Sequence, residues 1–240
     1  MRNALLLSAS LAYCAVASAQ IVSDDMADEF KTISKYGSRQ SGFEGFQTYH
    51  SGHVEGNQFF NPNWSPGTVT TISNEQFGKN YLFLYDKVRQ ELFLKWKDSS
   101  IVLLADKNMI TAFTLNTDRT HSFVTAGAYD PSNKGNFFEV LVKSDKGYSL
   151  FKLTKTKFVK ADERDIEKQK LGDIYDSFVD EITYYLVKDS VVKTVALRKN
   201  SVLKALSPPF KDKVSSFFSQ HPDNSVDELL LIGAIEFLNS

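Results

Sequence analysis

The chain has 240 residues, and its 28 lysine and arginine residues almost balance its 29 aspartate and glutamate residues. A protein that binds nucleic acid through phosphate contacts usually carries a clear basic excess, so this balance argues against that class of function. The length suits one domain, or one domain with a helical appendage.

The first 19 residues have the three parts of a secretory signal peptide. Residues 1–3 include the positive Arg2, residues 4–16 are apolar, and Ala17-Ser18-Ala19 forms a small-residue cleavage site. The apolar run is shorter than the ~20 residues that a membrane-spanning helix needs. We therefore expect residues 1–19 to be a signal peptide and the protein to be exported, to the periplasm or the extracellular space, without a transmembrane segment once the signal is removed.

Cys14, the one cysteine of the chain, raises the alternative of a lipid anchor. Bacterial lipoproteins are cut just before a lipid-bearing cysteine, after a small residue, whereas Tyr13 is bulky and residues 15–17 continue the apolar run. We therefore expect Cys14 to leave with the signal. The mature chain then contains no cysteine, forms no disulfide and depends on its hydrophobic core for stability.

Residues 20–66 are predicted to be a leader followed by an irregular, aromatic-rich segment. Residues 24–34 suit either a short helix or an unpaired leader, and residues 36–66 show no clean hydrophobic period. This segment contains an aromatic group, which is Phe43, Phe46, Tyr49, Phe59, Phe60 and Trp64. Such residues either bind sugars and partners at a surface or plug the end of a sandwich or barrel. We expect the plug, because aromatic side chains gain much from burial.

Residues 67–198 are predicted to be an antiparallel β domain. Short β-like runs recur about every 8–12 residues, the rhythm of a meander, sandwich or barrel. They lie at 68–72, 81–85, 91–96, 101–105, 110–115, 122–125, 137–142 and 148–153. After a charged stretch at 160–170, read as an exposed hairpin or a loop, two more strands at 182–187 and 191–197 form a hairpin around residues 188–190.

Residues 199–240 change to a helical period and predict three helices. The first contains Val202 and Leu206, the second contains Val214 and Phe218, and the third covers the apolar residues 229–238. Ser225 and Glu228 have the spacing of a capping box before the third helix. The fold class is therefore α+β, with a large antiparallel sheet (meander, sandwich or partial barrel) and C-terminal helices packed on it.

The strand and tail patterns resemble those of uncharacterised exported β-rich proteins that are common in Bacteroidota. The resemblance rests on the runs at 82–86, 91–96, 110–115, 137–142, 149–153 and 184–187 and on the lysine-rich helical tail. It covers most of the chain from Gly56 onward. Those proteins have no established activity, so the resemblance implies only a setting, the periplasm or outer face of a Gram-negative cell.

Three histidines lie in sequence patterns that could form a site. His50 and His53 are spaced to share a transition metal, but their glycine-rich context favours two exposed loop residues. His121 follows Asp118 by three residues and precedes Ser122, yet no nucleophile elbow is present, so His121 is interpreted as a residue at the start of a strand.

Charged groups also have ordinary explanations in the sequence. The adjacent acid pairs 24/25, 28/29, 162/163 and 227/228 lie in polar runs or at helix starts, where acids are favoured, and are not expected to form a glycosidase pair. Six lysines follow one predicted hairpin and are interpreted as a solvated sheet edge rather than a binding strip. They are Lys143, Lys146, Lys152, Lys155, Lys157 and Lys160.

The sequence thus predicts no catalytic, cofactor-binding or metal-ligating residue and no cofactor. The leading hypothesis is an exported, non-enzymatic binding or interaction protein of the cell envelope, whose partner is an envelope protein or a glycan. The alternatives are a carrier that encloses a small apolar ligand and a cell-wall or glycan hydrolase without a recognisable motif.

Overall fold

A computed structural model describes residues 37–40, 54–161, 175–222 and 225–240. Residues 1–36, which include the predicted signal peptide, and the charged stretch 162–174 lie outside these ranges. Thirteen strands and three helices are described. The strands are β1 (Gly37–Gln40), β2 (Val54–Glu55), β3 (Gly67–Thr71), β4 (Gln76–Phe77), β5 (Tyr81–Asp86), β6 (Glu91–Trp96), β7 (Val102–Ala105), β8 (Ile110–Asn116), β9 (Thr120–Thr125), β10 (Phe137–Val142), β11 (Ser149–Val159), β12 (Asp176–Lys188) and β13 (Val191–Val195). The helices are α1 (Lys199–Ala205), α2 (Pro208–Ser219) and α3 (Glu228–Asn239).

The strands form two sheets. The small sheet has the order β1-β7-β6-β5, and the large sheet has the order β13-β12-β11-β10-β9-β8-β3-β4. Neighbouring strands are antiparallel, except that β2 adds a short parallel pairing to β12. Most sequence neighbours are also sheet neighbours, which is the meander that the regular turn spacing predicts.

The small sheet and the three helices all pack on the same face of the large sheet. Phe113 lies opposite Phe123, Phe123 opposite Glu139, Glu139 opposite Lys152, and Lys152 opposite Tyr184. Residues directly opposite each other point to the same side, so these five side chains share one face across five strands. The small sheet packs against the part of this face formed by β3, β8, β9 and β10, and the helices pack against the part formed by β10 to β13. The two halves meet at Glu139 and Lys152.

The opposite face of the large sheet is covered by the chain between β9 and β10. Two short 3₁₀ turns, Ala126–Ala128 and Pro131–Asn133, lie there. Tyr129 packs on Phe151 with ring centroids 4.7 Å apart, and Phe138 packs on Tyr185 at 4.7 Å. Both faces of β10 and β11 are thus buried, which explains why their sequences carry apolar residues at successive positions.

The buried Gln90 joins the small sheet to the large one. Its Nε2 donates to the backbone oxygen of Thr154 on β11 at 2.8 Å, and its Oε1 accepts from Tyr85 Oη at 2.8 Å. Burial, followed by the nearby charges of Asp86 and Glu139, raises the pKa of Tyr85 above its ordinary range. The hydroxyl therefore stays protonated and remains a donor to Gln90, while the bond from Gln90 to Thr154 links the two sheets.

Helix α3 packs on the large sheet through an apolar face, and hydrogen bonds fix both of its ends. Leu231, Ala234 and Ile235 are completely buried. At its start the N-cap is Asp227, whose Oδ1 accepts from the backbone nitrogen of Leu230 at 2.8 Å. The predicted capping box with Ser225 as its first residue is therefore wrong, because Asp227 takes the N-cap position and Glu228 turns toward the sheet.

The C-terminal end of α3 is clamped to the turn between β10 and β11. Asn239 Oδ1 accepts from the backbone nitrogen of Tyr148 at 3.0 Å, and Asn239 Nδ2 donates to the backbone oxygen of Tyr148 at 2.9 Å. Gly147 makes room for this contact, because a Cβ there would lie 1.9 Å from Asn239 Oδ1.

The predicted fold class is confirmed, with a large and mainly antiparallel sheet and three C-terminal helices packed on it. The structure adds detail that the pattern did not give: β1 brings residues of the predicted irregular segment into the small sheet, and β11 continues to Val159. None of the helices in the described ranges has the length and hydropathy required to cross a membrane.

Candidate functional site

An open cleft of about 610 Å³ lies at one end of the two-sheet body. It is referred to below as the cleft, and it is lined by Phe60, Asn61, Trp64, Ser65, Pro66, Asn116, Thr117, Asp118 and His121. One wall is the segment before β3, and the other is the turn that joins β8 to β9. Its lining combines aromatic rings with amide, hydroxyl, carboxylate and imidazole groups.

The first wall exists because residues 58–65 run along the open edge of β5. Phe60 donates its backbone N–H to Tyr85 at 2.9 Å, and Ser65 exchanges two backbone hydrogen bonds with Phe83 at 2.8 and 2.9 Å. Asn61 Nδ2 donates to Ser65 Oγ at 2.9 Å, which holds the intervening turn. The segment therefore caps an exposed strand edge and presents its side chains on both sides of the small sheet.

The three described members of the aromatic group are divided between those two sides. Phe59 and Trp64 pack on the outer face of the small sheet, against the cluster that contains Leu84. Phe60 packs on the inner side, edge-on to His121 and to Phe123, with ring centroids 4.8 and 5.1 Å away. All three are half-buried rather than fully enclosed, so they combine packing with a surface position. Phe43, Phe46 and Tyr49 lie outside the described residues.

The second wall is a short turn held by its own polar groups. The Thr117 backbone N–H donates to the oxygen of Arg119 at 2.9 Å, and Thr120 Oγ1 donates to Asn116 Oδ1 at 2.9 Å. The Asn116 side-chain nitrogen has no hydrogen-bond partner among the residues that the structure describes. It is thus a donor that remains available to a molecule in the cleft.

His121 lies at the base of the second wall with a carboxylate at each ring nitrogen. Nδ1 is 2.7 Å from Glu139 Oε1, and Nε2 is 3.3 Å from Asp118 Oδ1. The Glu139 side chain is 6% exposed, whereas that of Asp118 is 82% exposed. Hydrogen bonds from Thr117 and then His121 lower the pKa of Asp118 to about 2. Asp118 is therefore an anion throughout the neutral range.

Behind His121 the charges continue in alternation toward the helices. Lys152 Nζ lies 3.6 Å from Glu139 Oε2 and 2.9 Å from Glu228 Oε2, and Tyr184 Oη donates to Glu228 Oε2 at 2.7 Å. We call Asp118, His121, Glu139, Lys152, Glu228 and Tyr184 the charged network. It fills the seam where the small sheet and the helices meet, and it connects the cleft to the start of α3.

The pKa values at the helix end of the network follow from these contacts. Burial would raise the pKa of Glu228, but the hydrogen bonds from Lys152 and Tyr184 and the charge of Lys152 outweigh it, so this pKa is lowered. Burial and the neighbouring Glu228 raise the pKa of Tyr184. At neutral pH Glu228 is therefore charged and Tyr184 is a hydrogen-bond donor.

The interpretation of His121 as a strand-start residue is confirmed, because β9 begins at Thr120. Ser122 points to the other face of the sheet, since it lies opposite Thr114 while His121 lies opposite Leu115. These two neighbours therefore do not form a nucleophile and base. What the sequence did not indicate is that His121 bonds two carboxylates.

The six lysines of the predicted hairpin lie in two different environments. Lys143, Lys146, Lys155, Lys157 and Lys160 are exposed, in agreement with a solvated surface. Lys152 differs, because its side chain is 16% exposed and sits between two carboxylates on a strand with neighbours on both sides. The edge explanation is therefore wrong for Lys152.

The other residues that the sequence singles out as possible site residues are not among the described lining of the cleft. His50, His53 and the acid pairs 24/25, 28/29 and 162/163 lie outside the described residues. Asp227 caps α3 and Glu228 joins the charged network, so this adjacent pair has two separate roles. Within the described ranges, no three histidine, cysteine, aspartate or glutamate residues are grouped so that they could hold a metal ion.

The cavity at the seam and the exposed apolar side chains are less suited to a ligand than the cleft. At the seam, a cavity of about 10 Å³ beside Glu139 and Lys152 has room for about one water molecule. The large exposed apolar side chains are spread over different elements: Val159 and Val179 share one face of the β11–β12 ribbon, and Ile182 lies on the other face. Comparison with protein-family models, with curated proteins and with solved structures gives no match.

Proposed function

We propose that the chain is an exported, non-enzymatic binding protein and that its ligand is a neutral envelope glycan held in the cleft. The observation that carries this proposal is the composition of the cleft, which is bordered by Phe60 from the inner side and Trp64 from the outer side of the small sheet and by several side chains that can exchange hydrogen bonds. Sugar rings have apolar faces and a rim of hydroxyl groups, so they fit aromatic surfaces flanked by amide and carboxylate groups.

The charge of the cleft favours a neutral ligand over an anionic one. Its lining contains one carboxylate, Asp118, and no lysine or arginine. A phosphate or a carboxylate ligand is typically held by cationic side chains or by a cluster of backbone N–H groups. Asn116 supplies a donor, and Asp118 supplies an acceptor, which together suit hydroxyl groups.

The two alternative functions find less support in the geometry. A glycosidase places two carboxylates about 5–10 Å apart across its substrate, whereas Asp118 is the one acid in the cleft lining and Glu139 lies behind His121. A carrier needs an enclosed apolar cavity of several hundred Å³. The cavity at the seam between the small sheet and the helices is about 10 Å³, and two clefts of about 440 Å³ elsewhere are open to solvent rather than enclosed.

The cellular setting is part of the proposal. The predicted signal peptide at residues 1–19 would deliver the protein to the periplasm or the extracellular space, where glycans of the envelope are available. The test of this part is a fusion of residues 1–40 to alkaline phosphatase, which is active only after export from a bacterial cytoplasm. We expect an active fusion, and an inactive one would contradict export.

Binding is tested with the mature chain on an array of neutral oligosaccharides that includes glucose and N-acetylglucosamine tetramers. We expect selective binding that Asn116→Ala weakens about tenfold, because it removes the free donor of the cleft. Asn200→Ala is the matched control, since Asn200 is exposed on α1 and makes no side-chain hydrogen bond among the described residues. Binding that both variants preserve, or no binding to any glycan, would contradict the proposal.

A further inference from the structure

We infer that a second cleft, at the opposite end of the two-sheet body, binds a small amphipathic anion, namely an aliphatic chain that ends in a carboxylate. The second cleft has a volume of about 440 Å³ and is open to solvent. This volume lies in the range of roughly 300–1,000 Å³ that is typical of small-molecule sites. The inference is independent of the proposed glycan site, and the lining residues that carry it are Ile72, Lys107, Ile110, Thr125, Lys134 and Phe137.

The sheet topology places the two clefts at opposite ends of the same strands. The cleft lies where β3 begins, β8 ends and β9 begins, at Pro66, Asn116 and His121. The second cleft lies where β3 and β9 end and β8 and β10 begin, and it includes Ile72 and Thr125. Of the residues that the structure describes, none lines both. The two sites can therefore be tested separately.

Three segments form the walls of the second cleft, and backbone hydrogen bonds hold each of them. In the turn between β7 and β8, Met109 donates its N–H to the oxygen of Asp106 at 2.9 Å. After β3, Ile72 donates its N–H to the oxygen of Met109 at 3.0 Å. In the chain between β9 and β10, Ala126 donates its N–H to the oxygen of Asn136 at 2.9 Å. The walls are thus largely preformed, so a ligand has little structure to order on binding.

The apolar part of the second cleft is the open end of the core between the two sheets. Ile110 and Phe137 belong to that core and are each 2% exposed. Ile72 stands at the mouth and is 56% exposed. An aliphatic chain that lies on these residues removes the exposed surface of Ile72 from water, which favours binding.

The charge of the second cleft is opposite to that of the cleft. Its described lining contains two lysines and no aspartate or glutamate. Lys107 Nζ donates to the backbone oxygen of Arg89 at 2.9 Å, which fixes this cation in place. The stem of Lys134 begins over Gly127, since a Cβ on Gly127 would lie 3.5 and 3.6 Å from Cβ and Cγ of Lys134. The Lys134 ammonium group makes no hydrogen bond or ion pair within the described part of the chain, so it is available to an anion.

A hydroxyl group adds a hydrogen-bond donor to these cations. The side chain of Thr125 lines the second cleft without a hydrogen-bond partner among the described residues. The acids of the adjoining turns, Asp106 and Asp130, accept hydrogen bonds within their own turns and do not line the second cleft. A carboxylate suits this combination, because it accepts from an ammonium group and a hydroxyl at once.

Calorimetric titration of the mature chain with octanoate, and with 1-octanol as its neutral analogue, tests the charge of the ligand. We expect saturable binding of octanoate and about three- to tenfold weaker binding of octanol, because octanol forms no ion pair. Lys134→Met keeps much of the aliphatic stem and should reduce octanoate affinity to about that of octanol. Lys211→Met, at an exposed position of α2, is the control and should change neither affinity. Equal binding of octanoate and octanol by the wild type would overturn the inference.

Ile72→Ser tests the apolar half of the second cleft with the same two ligands. We expect both affinities to fall about three- to tenfold, because the chain of either ligand loses the same contact. Ile72 is exposed, so the substitution leaves the core intact, and an unchanged circular dichroism spectrum verifies this. Affinities that do not respond to Ile72→Ser would contradict the placement of the aliphatic chain.

Amide ¹H–¹⁵N shifts locate the ligand and separate this inference from the proposed function. Octanoate should move the signals of residues 107–111 and 125–136, whereas a glycan in the cleft should move those of residues 60–66 and 116–121. Octanoate shifts at the cleft alone, or no saturable binding of octanoate, would overturn the inference and leave the glycan proposal untouched. Co-sedimentation with phosphatidylglycerol vesicles without octanoate binding would assign the anionic chemistry to a bilayer surface and would also overturn it. Failure of every glycan to bind would overturn the proposed function alone.

Discussion

Lys152 holds two acidic side chains at the seam between the small sheet and the helices. Glu139 is buried, Glu228 is half-buried, and Lys152 is the cation that approaches both of them. A buried ion pair contributes little net stability when complete, but removing one partner leaves an uncompensated charge in a medium of low dielectric constant. The network should therefore be far more sensitive to the loss of Lys152 than its number of contacts suggests.

Lys152→Met tests this at the residue scale. We expect a loss of about 2–4 kcal/mol in the free energy of unfolding at neutral pH, measured by urea denaturation, because Glu139 and Glu228 then lack the cation that lies between them. Lys155→Met on the exposed side of the same strand is the control, and it should change the free energy by less than about 0.5 kcal/mol. Equal effects of the two substitutions would contradict the role of Lys152.

The stability loss caused by Lys152→Met should depend on pH, because the pKa of Glu228 is lowered in the folded protein. In the wild type this group stabilises the fold above its ordinary carboxyl pKa, and the contribution disappears as pH falls through the lower folded value. Without Lys152 the Glu228 carboxyl is more easily protonated, and its protonation removes the repulsion between the two acidic side chains. The difference between wild type and Lys152→Met should thus shrink as pH falls toward about 4.

The composition of the two central strands contained a signal for this network. Glu139 is the one charge in the run FFEVLV, and Lys152 is the one charge in SLFKLT. A single charge inside an apolar strand needs a partner, since burying it alone is costly. The sequence could have indicated that need, but the partner depends on the register between β10 and β11, which places Glu139 opposite Lys152.

At the scale of elements, the hairpin of β12 and β13 has a two-residue turn with an unfavourable sequence. Asp189 and Ser190 have φ values of 48° and 64°, so both occupy the left-handed region that a type I′ turn requires. Aspartate tolerates this region, whereas glycine would be better at the second position. Residues 188–190 predicted the hairpin correctly, and the backbone strain is visible only in the structure.

Ser190→Gly should therefore stabilise the protein. We expect a gain of about 0.5–1 kcal/mol in the free energy of unfolding, because the strain of a non-glycine residue at positive φ is removed. Thr194→Gly, in the strand that follows, should have the opposite sign, since glycine weakens a regular strand. Thermal denaturation followed by circular dichroism measures both, and a loss of stability in Ser190→Gly would contradict this account of the turn.

The sequence predicts where strands and helices lie along the chain better than it predicts which strands pair with each other. The alternation in 91–96 and the apolar runs at 81–85, 110–115 and 137–142 give strands at their observed places, because side-chain direction in a strand depends on local sequence. The helical period after Lys199 likewise gives α1, α2 and α3. Pairing of β1 with β7, and of residues 58–65 with β5, depends on contacts between distant segments, and no local pattern encodes it.

For the same reason the cleft was not predictable. Its walls come from two segments about 50 residues apart, and they meet because β3 pairs with β8: Gly67 lies opposite Leu115. The sequence predicts burial for the aromatic group that contains Phe60 and Trp64, and it predicts His121 at the start of a strand, but it does not place the three together. Their proximity follows from the sheet order, which the regular spacing of strands suggests only in outline.

At the scale of the whole molecule, two hydrophobic clusters share one face of one sheet. The first lies between the two sheets and includes Phe113 and Phe123, and the second lies under the helices and includes Leu186 and Ile235. β10 contributes to both, through Phe137 and Val142 respectively. A strand shared by two clusters cannot keep its place in one when the other is lost, so we expect them to unfold together.

The two tryptophans make this expectation measurable, because both Trp64 and Trp96 belong to the small-sheet half and none to the helices. Tryptophan fluorescence thus reports on one half, and circular dichroism at the helical wavelength reports on the other.

Ile235→Ala leaves a cavity under α3 and should cost about 2–4 kcal/mol in the free energy of unfolding. If the clusters are coupled, this helix substitution shifts the fluorescence transition in urea as far as the helical transition. Glu236→Ala, on the exposed side of the same helix, should shift neither. A fluorescence midpoint that stays in place while the helical signal is lost at lower urea concentration would mean that the helices are a separate folding unit. The charged network would then contribute little to the coupling between the two halves.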